Sequence, residues 1–222
     1  ETGTEIWSRR EIAPTQRGPV AVGDIDGDGF MEIVAARLDG SELIAVEHDG
    51  TEKWRIPTEA SDRNIECGPA IANIDGAGTP EIVFARSVYN ADGSLRWRAT
   101  GDRAEQRFGP LSIVADINLD GFQEVIAGRT VYRSDGTILW THSSSADGYN
   151  AVGNFDDDDQ AEVVLVQPGP DQVFLVDSNG ETIWGPVSVP GSGGGPPTVA
   201  DVDGDGEPEI GIATSSRFLV LE

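Results

Sequence analysis

The chain has 222 residues, 39 of them acidic and 15 basic, for a formal net charge of −24. That length suffices for one large β domain with a real core or for two small ones, and the acidic balance speaks against nucleic acid, whose phosphates need a basic face. No run approaches the ~20 apolar residues of a membrane span, and one cysteine, Cys67, rules out an internal disulfide.

In chain order, the segment Gly3-Thr-Glu-Ile-Trp7 comes first. Residues 19–25 then read as an inner strand, followed by an acidic loop, and residues 32–36 and 42–47 as a second and a third strand. After the Asp49-Gly50 turn, residues 51–56 make a fourth strand that carries Trp54. The unit recurs. Gly50-Thr-Glu-Lys-Trp54, Gly93-Ser-Leu-Arg-Trp97, Gly136-Thr-Ile-Leu-Trp140 and Gly180-Glu-Thr-Ile-Trp184 repeat the first segment, with tryptophans 47, 43, 43 and 44 residues apart. Asp-Gly or Asn-Gly pairs favour tight hairpins at these points. β-branched runs abound and no stripe of 3.6-residue period is present.

A period near 44 residues is that of a propeller blade. The sequence therefore predicts an all-β, five-bladed β-propeller of four-stranded antiparallel blades, a single domain over residues 1–222. The blades are residues 13–56, 63–99, 104–142, 147–185, and 196–222 plus 1–10. Residues 217–222 match third-strand segments such as 173–177, so the N-terminal strand is expected to join the C-terminal blade and close the ring.

Five acidic loops lie between first and second strands, with oxygen donors at positions 1, 3, 5 and 9. Loop one offers Asp24, Asp26, Asp28, the Phe30 carbonyl and Glu32. Loop three offers Asp116, Asn118, Asp120, the Phe122 carbonyl and Glu124. Loop four offers Asn154, Asp156, Asp158, the Gln160 carbonyl and Glu162, and loop five Asp201, Asp203, Asp205, the Glu207 carbonyl and Glu209. Loop two has Asn73, Asp75, the Thr79 carbonyl and Glu81, but Ala77 deletes the donor at position 5, so it is expected to be weak or empty. Hard oxygen donors without His or Cys select calcium: about four structural Ca²⁺ ions, with a possible fifth. An EF-hand would need Glu at position 12, which is Ala35, and a following helix. The bland alternative is a set of solvated Asx turns without metal.

These loops resemble the FG-GAP or VCBS-type repeats of integrin α-subunit propellers and of many bacterial surface and secreted proteins. Phe108-Gly109-Pro110, Gly18-Pro19 and Gly68-Pro69 look like the Phe-Gly and Gly-x-Pro elements of that family. The Gly-Thr-x-x-Trp segments are also similar to the docking repeats of quinoprotein dehydrogenase propellers. The first resemblance implies an extracellular, secreted or cell-surface module for ligand recognition or adhesion, with no catalytic residues and a protein or glycan as partner. A lectin-like propeller, or the propeller domain of a secreted polysaccharide-active enzyme, are the alternatives. Direct membrane insertion is not expected, and the isolated domain is expected to be a monomer.

The tryptophans are expected between blades, Cys67 buried, and His48 and His142 near the surface. Arg17, Arg37, Arg63, Arg86, Arg107 and Arg129 fall on the face opposite the acidic loops. They are candidates for an anionic ligand; alternatively they pair with Asp39, Glu59, Glu66 and Glu105.

Overall fold

The structure is a computed structural model that describes residues 3–9, 18–60, 68–100, 111–144 and 146–222. Arg17, Arg63, Arg107, Cys67 and the segment 108–110 lie outside them. The described residues form nineteen strands in five antiparallel sheets and no α-helix.

Sheet one holds β1 (Ala21–Gly23), β2 (Glu32–Ala36), β3 (Glu42–Val46) and β4 (Glu52–Pro57). Sheet two holds β5 (Ala70–Ala72), β6 (Glu81–Phe84), β7 (Ser87–Tyr89) and β8 (Leu95–Arg98). Sheet three holds β9 (Ile113–Ala115), β10 (Glu124–Ala127), β11 (Thr130–Tyr132) and β12 (Ile138–Thr141). Sheet four holds β13 (Tyr149–Gly153), β14 (Glu162–Gln167), β15 (Gln172–Val176) and β16 (Thr182–Ser188). Sheet five holds β17 (Thr198–Ala200), β18 (Glu209–Ala213) and β19 (Phe218–Leu221). Strands follow one another in sequence order within every sheet, as β-branched hairpins with short turns require. The first strand of sheet one is shorter than residues 19–25, because Pro19 has no N–H to pair and the acidic loop begins at Asp24.

First strands of consecutive sheets touch, from β1–β5 through β13–β17. One cavity of about 330 Å³ is lined by residues at the start of all five first strands, among them Pro19, Pro69, Leu111, Tyr149 and Pro197. Apolar clusters fill the wedges between sheets. Ile25 packs with Ile82 and Phe84 of sheet two, Ile74 with Val125 and Tyr132 of sheet three, and Ile117 with Val163 of sheet four.

The tryptophans clamp neighbours together. Trp54 Nε1 donates to the Ala91 carbonyl at 2.8 Å, Trp97 to Ser134 at 2.8 Å and Trp140 to Ser178 at 2.9 Å, each in the turn of the next sheet. Each residue just before these tryptophans sits in a bulge. Ala45 faces Trp54 while Val46 faces Glu52, which skips Lys53; Arg96, Leu139 and Ile183 are skipped in the same way.

The ring-closing strand differs from expectation. Residues 3–9 form no strand, and sheet five has three strands. The N-terminal segment is held by its tryptophan and not by a ladder: Trp7 Nε1 donates to the His48 carbonyl at 2.9 Å and its ring covers Gly50, while Ile6 is 92% exposed. Ile71 and Val199 press on Gly23 and Gly153 of the preceding sheets. Val22, at the same position in sheet one, is 59% exposed, and Val202 and Phe218 of sheet five are 60% and 67% exposed. Among the described residues, the seam between sheets five and one therefore lacks the apolar burial of the other four.

Candidate metal centres

A meander puts the loops after first strands and the turns after third strands on one face, and the turns after second strands on the other. All five acidic loops thus share a face. Within each loop the main chain holds the carboxylates in place. Asp24 accepts from the N–H groups of Gly27 (2.7 Å) and Gly29 (3.0 Å), Asp26 from Asp28 (3.2 Å), and Asp28 from Phe30 (2.8 Å). Loop five repeats this with Asp201, Asp203 and Asp205, and Asp116, Asn118 and Asp120 do nearly the same in loop three. In loop four Asn154, Asp156 and Asp158 accept from residues two further on. Gly29, at φ +91°, and Gly121 and Gly206, at +90° and +103°, make the reversal that aims these groups inward.

Position 9 is the buried anchor. One oxygen of Glu32, Glu81, Glu124, Glu162 and Glu209 accepts the N–H of position 2, at 2.9, 3.0, 3.0, 2.6 and 2.6 Å in turn. Glu32 is fully buried, and its other oxygen, Oε1, has no hydrogen-bond partner. Such an orphaned carboxylate oxygen costs about 1–3 kcal/mol or more unless a cation meets it. Carboxylate oxygens of Asp24, Asp26 and Glu32 lie within 4.8 Å of one another, as do those of Asp156, Asp158 and Glu162, and of Asp201, Asp203 and Glu209. These oxygen-only sets fit a hard divalent ion. The exposed residues Phe30 and Phe122 stand at the rim, Phe30 stacked on His48 with centroids 4.2 Å apart.

Loops two and three differ. In loop three Asn118 Nδ2 donates to Glu124 Oε1 at 3.4 Å. In loop two the guanidinium of Arg96 bonds both Asp75 and Glu81. In loop one Lys53 Nζ bonds Asp26 Oδ2 at 2.5 Å and Glu47 Oε1 at 2.7 Å. The sequence reading missed these two cations, although both stand directly before a tryptophan, where Leu139 and Ile183 occupy the other units.

Burial raises the carboxyl pKa values of Glu32, Glu81 and Glu162, and pushes that of Glu124 from 4.5 to about 7. The Lys53 hydrogen bond holds Asp26 below its ordinary value. With metal removed, Glu124 keeps a proton that the unfolded chain has lost between about pH 4.5 and pH 7, and Glu32, Glu81 and Glu162 shift in the same direction. Their contribution to stability is full below that window and disappears as the pH rises through it. In EDTA, melting at about pH 5 should therefore exceed melting at about pH 7.5, and calcium should remove that slope. An EDTA-treated protein that is more stable at the higher pH would contradict the buried-anchor account.

On the opposite face, Arg37, Arg86 and Arg129 occupy the turns after β2, β6 and β10. Arg37 pairs with Glu42 at 3.2 Å and Arg129 donates to the Ser144 carbonyl at 2.7 Å. Glu59 pairs with Arg98, and Asp39 accepts from Ser41 while the Arg37 charge also acts on it. His142, expected near the surface, is 4% exposed, with Nε2 2.9 Å from Thr182 Oγ1 and its ring edge-on to Phe174. Burial lowers its pKa.

Sheets of antiparallel strands around a shared cavity, with one acidic loop per sheet, define a repeat protein of propeller type. The FG-GAP-like repeat family model matches residues 154–212. The V. cholerae biofilm matrix protein Bap1 is similar at 28% identity and a TM-score of 0.75, covering 89% of this chain and 33% of that one. Bacillus licheniformis rhamnogalacturonan lyase PL11 aligns at 23% identity and a TM-score of 0.64 over 87% of this chain and 43% of its own, and rhamnogalacturonan lyase YesW at 20% and 0.66 with the same coverages. The chain thus spans less than half the length of these proteins. No curated protein matches it. The match over residues 154–212 and the propeller-type sheets together support an FG-GAP repeat β-propeller. No helix among the described residues is long and apolar enough to cross a membrane, which says nothing of a β-barrel.

Proposed function

We propose that the chain is a calcium-stabilised, five-bladed propeller that serves outside the cell as a recognition or adhesion module, and not as the catalytic part of an enzyme. The cavity shared by five first strands supports five blades around one axis. Trp7 supports the N-terminal segment as the partner of the fifth blade, because it grips the first sheet's turn as Trp54, Trp97 and Trp140 grip theirs.

The observation that carries the calcium is the buried, orphaned Oε1 of Glu32 facing loop carboxylates. Asp24, Asp26, Asp28 and Glu32 would hold the ion in loop one, and their counterparts in loops three to five the others; rotation of the Asn118 amide would turn its oxygen inward. Bound ions supply charge neutralisation and oxygen coordination that lock each hairpin. The axial walls named above are proline, aliphatic and tyrosine faces with Ser112 and Asn150, a lining for contact and hydrogen bonding. A biofilm matrix protein and polysaccharide lyases among the structural neighbours favour a glycan ligand.

Retention on an immobilised uronate polysaccharide in calcium, against a neutral dextran, tests the binding reading. The wild type should be retained, and Arg86→Glu with Arg129→Glu should weaken retention on the order of tenfold. Equal passage of wild type and double variant through both columns would sink the anionic-glycan assignment.

A further inference from the structure

We propose that Arg96 is a tethered cation standing in for calcium in the second loop, and that the bulged residue before each tryptophan sets how far its own loop depends on the ion. The inference rests on the calcium reading above. Bulges re-aim side chains, and the bulge in β8 sends Arg96 across its sheet to the acidic loop. There its fork bonds Asp75, at position 3, and the buried Glu81, at position 9. These are the positions whose carboxylates converge in loops four and five with no ion pair to a protein cation among the described residues. A guanidinium is always charged and presents paired donors to two carboxylates at once. The same unit has lost its position-5 donor to Ala77, so the loop least able to hold an ion is the one with a built-in substitute.

The other units grade the effect. In sheet one Lys53 takes Asp26 Oδ2 and Glu47 but leaves Glu32 Oε1 without a partner, so a site persists with one donor oxygen engaged. In sheets three and four the bulged residues are Leu139 and Ile183, which bring no charge.

Equilibrium dialysis of the full chain in ~1–2 mM calcium chloride counts the ions. The wild type should take up four, one for each loop with a full donor set. Arg96→Leu combined with Ala77→Asp should take up one more, and Ile183→Arg, at an exposed position, one fewer. Melting in EDTA supplies a second readout: Arg96→Leu should melt lower than wild type, and only the variant that also carries Ala77→Asp should recover in calcium. A wild type that binds five ions, or a double variant that gains none, overturns the proposal and leaves the calcium reading standing. A wild type that binds none sinks both. Should Ile183→Arg not melt cooperatively, the double variant decides.

Discussion

Removing calcium should lower the melting temperature by about 10–20 °C, the largest effect expected for this protein. At ~1 mM calcium and a Kd near ~0.1 mM, each site adds about 1.4 kcal/mol, and four sites about 5–6 kcal/mol. That is comparable with the whole stability of an ordinary domain. The cause lies in the loops. Main-chain N–H groups already fix the carboxylates of Asp24, Asp26 and Asp28 side by side, and the Ile25 N–H holds Glu32 in the core with one oxygen unmet. Without an ion those charges repel one another and the buried anchor stays unsatisfied. A thermal melt with calcium, then EDTA, then calcium again measures the effect; a midpoint indifferent to all three additions would remove the metal from the account.

Gly136→Ala should destabilise by about 2–5 kcal/mol, a large cost for one methyl group. Gly136 has φ +84°, where a Cβ costs roughly 1–2 kcal/mol, and that Cβ would lie 2.7 Å from Cδ2 of Trp97. Overpacking adds about 1–3 kcal/mol. Trp97→Ala leaves a void between sheets two and three and frees the Ser134 carbonyl, for about 3 kcal/mol. The two changes touch the same contact, so together they should cost less than their sum, since the added methyl group enters the space the indole vacates. Urea titrations of the two single variants and the double variant measure the coupling. Strict additivity would mean that the indole does not rest on this turn.

Much was legible because the chain says it five times. The acidic loops, Gly136 with its four counterparts, and the tryptophan spacing are local signals, and repetition fixed their phase. Strand β2 falls on residues 32–36 as read, because Glu32 ends the loop and β-branched residues follow. The roles of Lys53 and Arg96 were not legible. Each depends on a bulge and on a span of 27 or 21 residues that only the folded sheet brings within bonding distance. His142 was misplaced for the same reason: its neighbours Thr182 and Phe174 come from the next sheet.

By itself the sequence determined the all-β class, the repeat and the oxygen-rich loops, since all three follow from short-range pattern: alternation, turn pairs and donor spacing. Tertiary structure alone decided which loops meet a protein cation and which glutamate oxygen is left unmet. It also decided that the N-terminal segment is held by Trp7 without a ladder. These outcomes depend on contacts between distant segments, where burial and geometry, not local propensity, set the energy.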